Sequence, residues 1–110
     1  MNQPGAVIAK VMATVEERKR SMPENSYVAS LLRSGTDAIL CKLAEESGEV
    51  IKAAREEGRA ELVKELSDLL FHAMVLMANK GLTLAALEEE LARRHGTSGI
   101  AEKASRKKPR

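Results

Sequence analysis

The sequence predicts an all-α fold of about four to five helices, and three features support that prediction. Strong helix formers such as Leu, Ala, Glu, Lys and Arg dominate the composition. Tyr27 and Phe71 are the only aromatic residues, so the core must be aliphatic. Apolar residues recur at helical spacing in segments that proline and glycine separate. At 110 residues, the chain is expected to form one domain.

The first two predicted helices end at recognisable breaks. Pro23 follows the first of them, because proline removes a backbone donor and restrains the residue before it. Asn25 or Ser26 can cap a short second helix that runs through Leu32 and closes at Gly35. The first helix ends near Arg20, and its apolar face is formed by Val7, Ile8, Val11, Met12 and Val15.

Two longer helices follow, with a break at Gly58. Thr36 or Asp37 is expected to cap the first, which runs to about residue 57. The second spans about residues 59–80 and has Gly81 in the position after its C-cap. Thr83 starts a last helix over residues 84–94, which Gly96 stops. We therefore expect a helical domain over residues 1–96 and a polar, basic tail over 97–110, whose first part can order over a ligand.

The later half of the second long helix is apolar on nearly all sides, over residues 69–77. A helix of this kind must be covered all round. Five helices of one short chain hardly suffice, so we expect a homo-oligomer, most simply a dimer that completes the bundle. The alternative is a centrally placed helix within a monomeric bundle.

Each long helix carries two acids on the same side of its expected buried stripe. At about 100° per residue, Glu46 lies about 60° and Glu49 about 120° from the stripe of the first helix. Glu65 and Asp68 have nearly the same offsets on the second helix. Antiparallel packing on the stripes would therefore bring four carboxylates to one groove. The stripes are formed by Leu43, Val50 and Ala54 and by Leu62, Leu69 and Ala73.

Four clustered carboxylates repel one another, and burial adds to the cost. A hard divalent cation with oxygen ligands removes that cost, and Mg²⁺ is the usual one where phosphates complete the coordination shell. The sequence therefore predicts a magnesium site formed by Glu46, Glu49, Glu65 and Asp68. The alternative is two solvated pairs of acids, which are common on charged helices.

Several other classes of protein are disfavoured. No Walker A phosphate loop, dinucleotide-binding glycine turn or Glu-x-x-His di-iron motif is present. No apolar run is long enough to span a bilayer, and charged residues 16–18 interrupt any secretory pattern. Cys41 is alone, which favours a reducing cytoplasm over a disulfide framework. A formal net charge of +2 and two aromatic rings argue against a nucleic-acid-binding module.

The acidic pairs, separated by a helix break, resemble the all-α nucleotide pyrophosphatases of the MazG-like superfamily. The flanking segments resemble one family within it, the phosphoribosyl-ATP pyrophosphatases. These segments are spread over nearly the whole chain: residues 17–19 with Pro23, 26–32, 42–46, 68–72 and 93–106.

The resemblance implies an activity, a cofactor and a partner. The activity is Mg²⁺-dependent hydrolysis of 1-(5-phosphoribosyl)-ATP to 1-(5-phosphoribosyl)-AMP and pyrophosphate, the second step of histidine biosynthesis. In many organisms this domain is fused to phosphoribosyl-AMP cyclohydrolase, so a functional link to that enzyme is expected. A second possibility keeps the fold but changes the substrate to noncanonical nucleoside or deoxynucleoside triphosphates, as in house-cleaning pyrophosphatases.

The same resemblance suggests roles for further residues. Glu45, about 160° from the stripe, can position or deprotonate the attacking water, or it can be a solvated glutamate. Lys42 can contact a phosphate directly or form an i,i+4 ion pair with Glu46, and the resemblance favours the phosphate. Arg18 and Tyr27 are candidates for the ribose or adenine region. Four further cations can close over the phosphoribosyl end: Arg93, Arg94, Lys103 and Arg106.

Overall fold

The computed structural model describes residues 3–96, together with 99, 103 and 104, and its described part contains helices and no strand. The predicted all-α fold is confirmed. Each predicted helix is present, with ends within about two residues of those expected from the sequence. In chain order the helices are α1 (Ala6–Ser21), α2 (Tyr27–Ser34), α3 (Thr36–Glu56), α4 (Arg59–Asn79) and α5 (Leu84–Arg94).

Two of the predicted helix caps are present. The Ser26 hydroxyl accepts a hydrogen bond from the Ala29 N–H at 3.1 Å and starts α2. The Thr83 hydroxyl accepts one from the Ala86 N–H at 3.2 Å and starts α5. Each hydroxyl satisfies one of the N–H groups that the first helical turn leaves without a partner.

The expectation that Thr36 or Asp37 caps α3 is wrong. The N-cap is Gly35, which closes α2 and opens α3 in a conformation (φ 96°, ψ 174°) that favours glycine. The Thr36 hydroxyl instead donates to the Asn79 side-chain oxygen at 3.0 Å. Thr36 therefore joins the start of α3 to the end of α4.

This contact sets the register of the α3–α4 hairpin. The two helices run antiparallel and form the most extensive packing in the described chain. Each helix rises about 1.5 Å per residue. Glu46 is ten residues after Thr36 on α3, and Asp68 is eleven residues before Asn79 on α4, so the two acids lie opposite each other. One turn further, Glu49 and Glu65 share a level by the same count. The acids of both helices therefore lie at neighbouring levels near the middle of the hairpin.

The buried line between these helices differs from the predicted stripe. Ala53 is fully buried, whereas Ala54 is exposed. Ile39, Glu46 and Ala53 follow one seven-residue line on α3, and the Glu46 side chain is only 13% exposed. Glu65 lies on the matching buried line of α4. Glu46 and Glu65 are therefore nearer the contact between the two helices than predicted. The residues of the predicted stripes are half-buried, except Ala54, which is exposed.

The core lies at the end of the hairpin that is far from Gly58. There, α1 and α2 cover the later half of α4. The Lys19 ammonium donates to the Ala78 carbonyl at 2.7 Å and satisfies a backbone acceptor near the C-terminus of α4. Much of the apolar half of α4 is thus covered within one chain and does not by itself require a second copy. The buried cluster consists of Met12, Val15, Val28, Leu31, Ile39, Met74, Val75, Met77 and Ala78.

In the described part of the chain, no single helix is long and apolar enough to cross a membrane. By length and composition only, α4 and α5 pass that test as a pair, across a bend of 112°.

Gly35→Ala should lower the free energy of unfolding by about 1–3 kcal/mol, because an L side chain is strained at this positive φ. Gly58→Ala is the matched control. Gly58 is also an N-cap without a side-chain hydrogen bond, but its φ is −84°, and a Cβ has open space at both positions. Its unfolding free energy should change by less than about 1 kcal/mol. Equal losses in urea denaturation would contradict this account of Gly35.

Candidate active site

Three carboxylates meet across the α3–α4 hairpin. Glu46 from α3 and Glu65 and Asp68 from α4 each offer one oxygen, and these oxygens lie within 4.8 Å of one another. The hairpin register explains the cluster, because it places Glu46 opposite Asp68 and keeps Glu65 one turn away on the same side of α4. We call these three residues the acidic cluster.

Glu65 shows the electrostatic cost of the acidic cluster. It is only 8% exposed. Burial raises the pKa of its carboxyl, and a hydrogen bond with Asp68 and the charges of Asp68 and Glu49 raise it further, while Lys64 acts in the opposite direction. A hydrogen bond between two carboxyl groups requires a proton on one of them. Burial and the contact with Asp68 therefore both favour the protonated form of Glu65.

The donor set fits a hard divalent cation. All the ligands offered are carboxylate oxygens, which suit Mg²⁺, Ca²⁺ and Mn²⁺ rather than zinc or copper. A cation bound here would compensate the charge of all three residues. The cluster can therefore hold a metal ion.

Glu49, the fourth predicted ligand, lies outside the acidic cluster. It is exposed on α3, and its charge contributes to the raised pKa of Glu65. Glu49 and Glu65 therefore face each other without belonging to the same close group. Equal angular offsets in the sequence did not reveal this difference in burial between the two residues.

Lys42 and Glu45 form an ion pair beside the acidic cluster. The Lys42 ammonium lies 3.2 Å from a Glu45 oxygen and 3.7 Å from a Glu46 oxygen. The hydrogen bond to Glu45 raises the pKa of Lys42, and Tyr27 raises it further. The Glu45 side chain is 65% exposed, so this pair contributes little to stability. The Lys42 ammonium can therefore be released to a phosphate at small cost.

Tyr27 lies on the same side of the hairpin as Lys42. Its hydroxyl is 2.8 Å from Nε2 of His72, which stands one turn after Asp68 on α4. The Tyr27 ring also stacks on Phe71 at 6.3 Å between ring centroids. The sequence placed His72 on the acidic side of its helix but did not assign it a role. A Tyr–His contact across 45 residues carries no local signal.

Arg18 lies away from the acidic cluster. Arg18 pairs with Glu17 and lowers the pKa of that carboxyl. Arg18 is next to Lys19, which contacts the Ala78 carbonyl. Ala78 lies ten residues, or about 15 Å, beyond Asp68 along α4.

The remaining predicted cations lie on or after α5. Arg93 bonds Glu90 through two nitrogens, at 3.0 and 2.5 Å. Arg94 is exposed on the last turn of α5, and Lys103 is exposed beyond that helix. Arg106 lies outside the described residues. The positions of these side chains do not show whether any of them contacts a substrate.

Comparison with known families identifies the group to which this chain is similar. The model of the family described as "Phosphoribosyl-ATP pyrophosphohydrolase" matches residues 8–95, which include the whole acidic cluster. The chain belongs to this family. The resemblance found in the sequence is therefore confirmed at the level of the family.

Individual relatives support the assignment to the phosphoribosyl-ATP pyrophosphohydrolase family. A protein of Azoarcus sp. named phosphoribosyl-ATP pyrophosphatase is 48% identical over 92% of this chain and 94% of its own. Proteins of the same name from Nitrosospira multiformis and Methylibium petroleiphilum are 48% and 49% identical. They match 92% and 91% of this chain, and 84% and 83% of their own lengths. These names favour phosphoribosyl-ATP over the noncanonical triphosphates of the second possibility.

Glu65 makes stability depend on pH in the metal-free protein. With its pKa raised, the folded state holds a proton more tightly than the unfolded chain. The resulting stability is present below the ordinary glutamate value of 4.5 and is lost as the pH rises through the raised folded value. Glu65→Gln should flatten this part of a plot of Tm against pH recorded without divalent cations.

Glu61→Gln, one turn earlier on α4, is the control for that measurement and should keep the wild-type slope. A Glu65→Gln protein with an unchanged slope would show that another group causes the pH dependence.

Proposed function

We propose that the acidic cluster, together with Glu49, binds the Mg²⁺ with which this chain hydrolyses 1-(5-phosphoribosyl)-ATP. The products are 1-(5-phosphoribosyl)-AMP and pyrophosphate, in the second step of histidine biosynthesis. Membership of the family supports the substrate and the reaction. One observation supports the site: three carboxylate oxygens within 4.8 Å of one another, inside the matched residues.

Bound Mg²⁺ would compensate the charge on the phosphate oxygens and lower the pKa of water. Glu46, Glu65 and Asp68 would hold it, with Glu49 able to approach from the next turn of α3. The buried position of Glu65 keeps the ligands of α4 close to those of α3. The chain thus supplies charge and position rather than a covalent nucleophile.

Glu45 and Lys42 would act as a pair when the substrate binds. A phosphate next to the acidic cluster competes with Glu45 for the Lys42 ammonium, because both are oxyanions. If Lys42 moves to the phosphate, the Glu45 carboxylate loses its partner and can accept a proton from the attacking water. This exchange assigns substrate binding to Lys42 and water positioning to Glu45.

Other side chains, most of them cationic, would bind the distal parts of the substrate. We assign Arg18 and Tyr27 to the ribose or adenine region and Arg93, Arg94, Lys103 and Arg106 to the phosphoribosyl end. The helical domain would then be residues 1–96, and the first part of the 97–110 tail would order over bound substrate. Arg93 would need to exchange its contact with Glu90 for a phosphate, as Lys42 does with Glu45.

The hairpin also supports a homodimer. The side of α3 and α4 away from the acids exposes large apolar side chains, which are commonly covered by a partner. Ile51 and Val63 share a level by the hairpin register, and Leu66 and Leu70 continue the same face of α4. We therefore propose that two hairpins pack through these faces and complete the bundle. The apolar face consists of Leu40, Ile51, Val63, Leu66 and Leu70.

Two further features support a proposal for the cellular context of the enzyme. Cys41 is free and exposed, which suits a reducing compartment such as the cytoplasm. The product, phosphoribosyl-AMP, is the substrate expected for phosphoribosyl-AMP cyclohydrolase, so we propose a functional link between the two enzymes.

Asp68→Asn should lower the rate of pyrophosphate release from phosphoribosyl-ATP by about a hundredfold or more, because it removes a charged ligand from the acidic cluster. Glu49→Gln should show a large loss if Glu49 also binds the metal. Asp37→Asn, an exposed aspartate in the first turn of α3, is the control and should stay within about twofold of wild type.

The assay has two informative failures. Unchanged Mg²⁺-dependent activity in Asp68→Asn would remove Asp68 from the site. A wild-type preference for dUTP, dCTP or another plain triphosphate over phosphoribosyl-ATP would support the house-cleaning alternative instead.

Leu66→Glu should convert the dimer into monomers at micromolar concentration, because it places a charge in the proposed apolar interface. Light scattering measures the mass directly. Leu91→Glu changes a leucine on α5 that is more exposed than Leu66, and it should leave the mass unchanged. A monomeric wild-type protein would refute the dimer.

A further inference from the structure

His72 is a buried polar residue that the proposed reaction does not use. It is only 5% exposed, yet both of its ring nitrogens are engaged. Nδ1 lies 2.7 Å from the backbone carbonyl oxygen of Asp68, and Nε2 lies 2.8 Å from the hydroxyl oxygen of Tyr27. His72 therefore connects the backbone of an acidic-cluster residue to a side chain at the edge of the site.

The partners of the ring determine where its proton lies. A carbonyl oxygen can only accept, so Nδ1 of His72 must carry a hydrogen and donate it to Asp68. In the neutral imidazole, Nε2 then has a lone pair and no hydrogen. The Tyr27 hydroxyl must consequently be the donor in its contact with His72.

This arrangement limits what else Tyr27 can bind. Its single hydroxyl proton points to His72, so the oxygen can offer only a lone pair to a ligand. Phosphate oxygens are acceptors as well and cannot pair with it. A sugar hydroxyl is a donor and can. Tyr27 as a whole residue is 49% exposed, so a ligand can reach its side chain.

The orientation is held by the aromatic contacts. The His72 ring meets Phe71 and Tyr27 edge to face, at 5.3 and 5.7 Å between centroids. His72 follows Asp68 by four residues, or about 6 Å along α4. The Tyr27 oxygen is therefore beside the acidic cluster. The sugar of a nucleotide whose polyphosphate is bound at the acidic cluster would lie next to that cluster.

We propose that His72 is a positioning residue that makes the Tyr27 oxygen an acceptor for a hydroxyl of the nucleotide ribose of the substrate. This inference rests on the proposed function, because it takes the acidic cluster as the polyphosphate site. It assigns Tyr27 to the sugar and excludes it from the phosphates. His72 acts only through Tyr27.

The test pairs Tyr27→Phe with substrates that lack single hydroxyls. Phosphoribosyl-ATP is compared with its 2′-deoxy and 3′-deoxy forms, each changed in the nucleotide ribose, at about pH 8, where histidine is ordinarily neutral. On the full substrate, Tyr27→Phe should lower kcat/KM by about threefold to tenfold, mainly through KM. On the analogue that lacks the contacted hydroxyl, wild type and Tyr27→Phe should be equal. The same loss on all three substrates, or a loss in kcat alone, would overturn the inference.

Variants of His72 separate positioning from folding. His72→Leu should reproduce the substrate pattern of Tyr27→Phe, because the Tyr27 proton is no longer held. His72→Gln can donate to the Asp68 carbonyl and accept from Tyr27, so it should restore most of the wild-type pattern. A His72→Leu protein that discriminates the three substrates as wild type does would contradict the role of His72. If His72→Leu does not fold, Tyr27→Phe and His72→Gln still test whether His72 positions Tyr27.

A binding readout is available that does not depend on turnover. Tyr27 is the only tyrosine and the chain has no tryptophan, so intrinsic fluorescence reports this residue alone. AMP should change the emission of wild type more than 2′-deoxy-AMP or 3′-deoxy-AMP does, whichever lacks the contacted hydroxyl. Equal responses to all three would oppose the inference. Wild-type inactivity toward phosphoribosyl-ATP would instead refute the proposed function.

Discussion

The repulsion between carboxylates in the α3–α4 hairpin is the constraint on which the rest of the site depends. Glu46, Glu65 and Asp68 offer oxygens within 4.8 Å of one another, and Glu65 is largely buried. Like charges this close repel one another, and burial together with Asp68 and Glu49 raises the pKa of Glu65. The packing of the helices holds the repelling carboxylates close together. A divalent cation relieves this repulsion, and a phosphate-bearing substrate can then share that cation.

The packing that maintains this cost lies mostly at the other end of the hairpin. Ile39 and Val75 are fully buried, α1 and α2 cover the later half of α4, and Thr36 is hydrogen-bonded to Asn79. Stability and function are thus separated along the same two helices. Groups that exchange partners, Lys42 and Glu45, stand at the more exposed edge, where an ion pair costs little to break.

Local signals in the sequence are enough to predict the helices and the pair of acids on each long helix. Capping hydroxyls, glycines and periodicity gave the ends of α2, α4 and α5, and the i, i+3 spacing gave the two pairs of acids. Contacts between distant residues were not predictable in this way. The Thr36–Asn79 hydrogen bond spans 43 residues and replaced an expected cap, and the Tyr27–His72 contact spans 45. The burial of Glu65 beside an exposed Glu49 also depends on register between helices, which equal offsets along each helix do not fix.

The most direct test of the acidic cluster is calorimetric titration of the protein with Mg²⁺ at a pH between the ordinary glutamate value of 4.5 and the raised pKa of Glu65, in buffers of different ionisation enthalpy. Because a bound cation favours the ionised form of Glu65, whose pKa is raised, binding must release protons at this pH, and the apparent enthalpy must vary with the buffer. Binding without proton release, or no binding at millimolar Mg²⁺, would contradict the account.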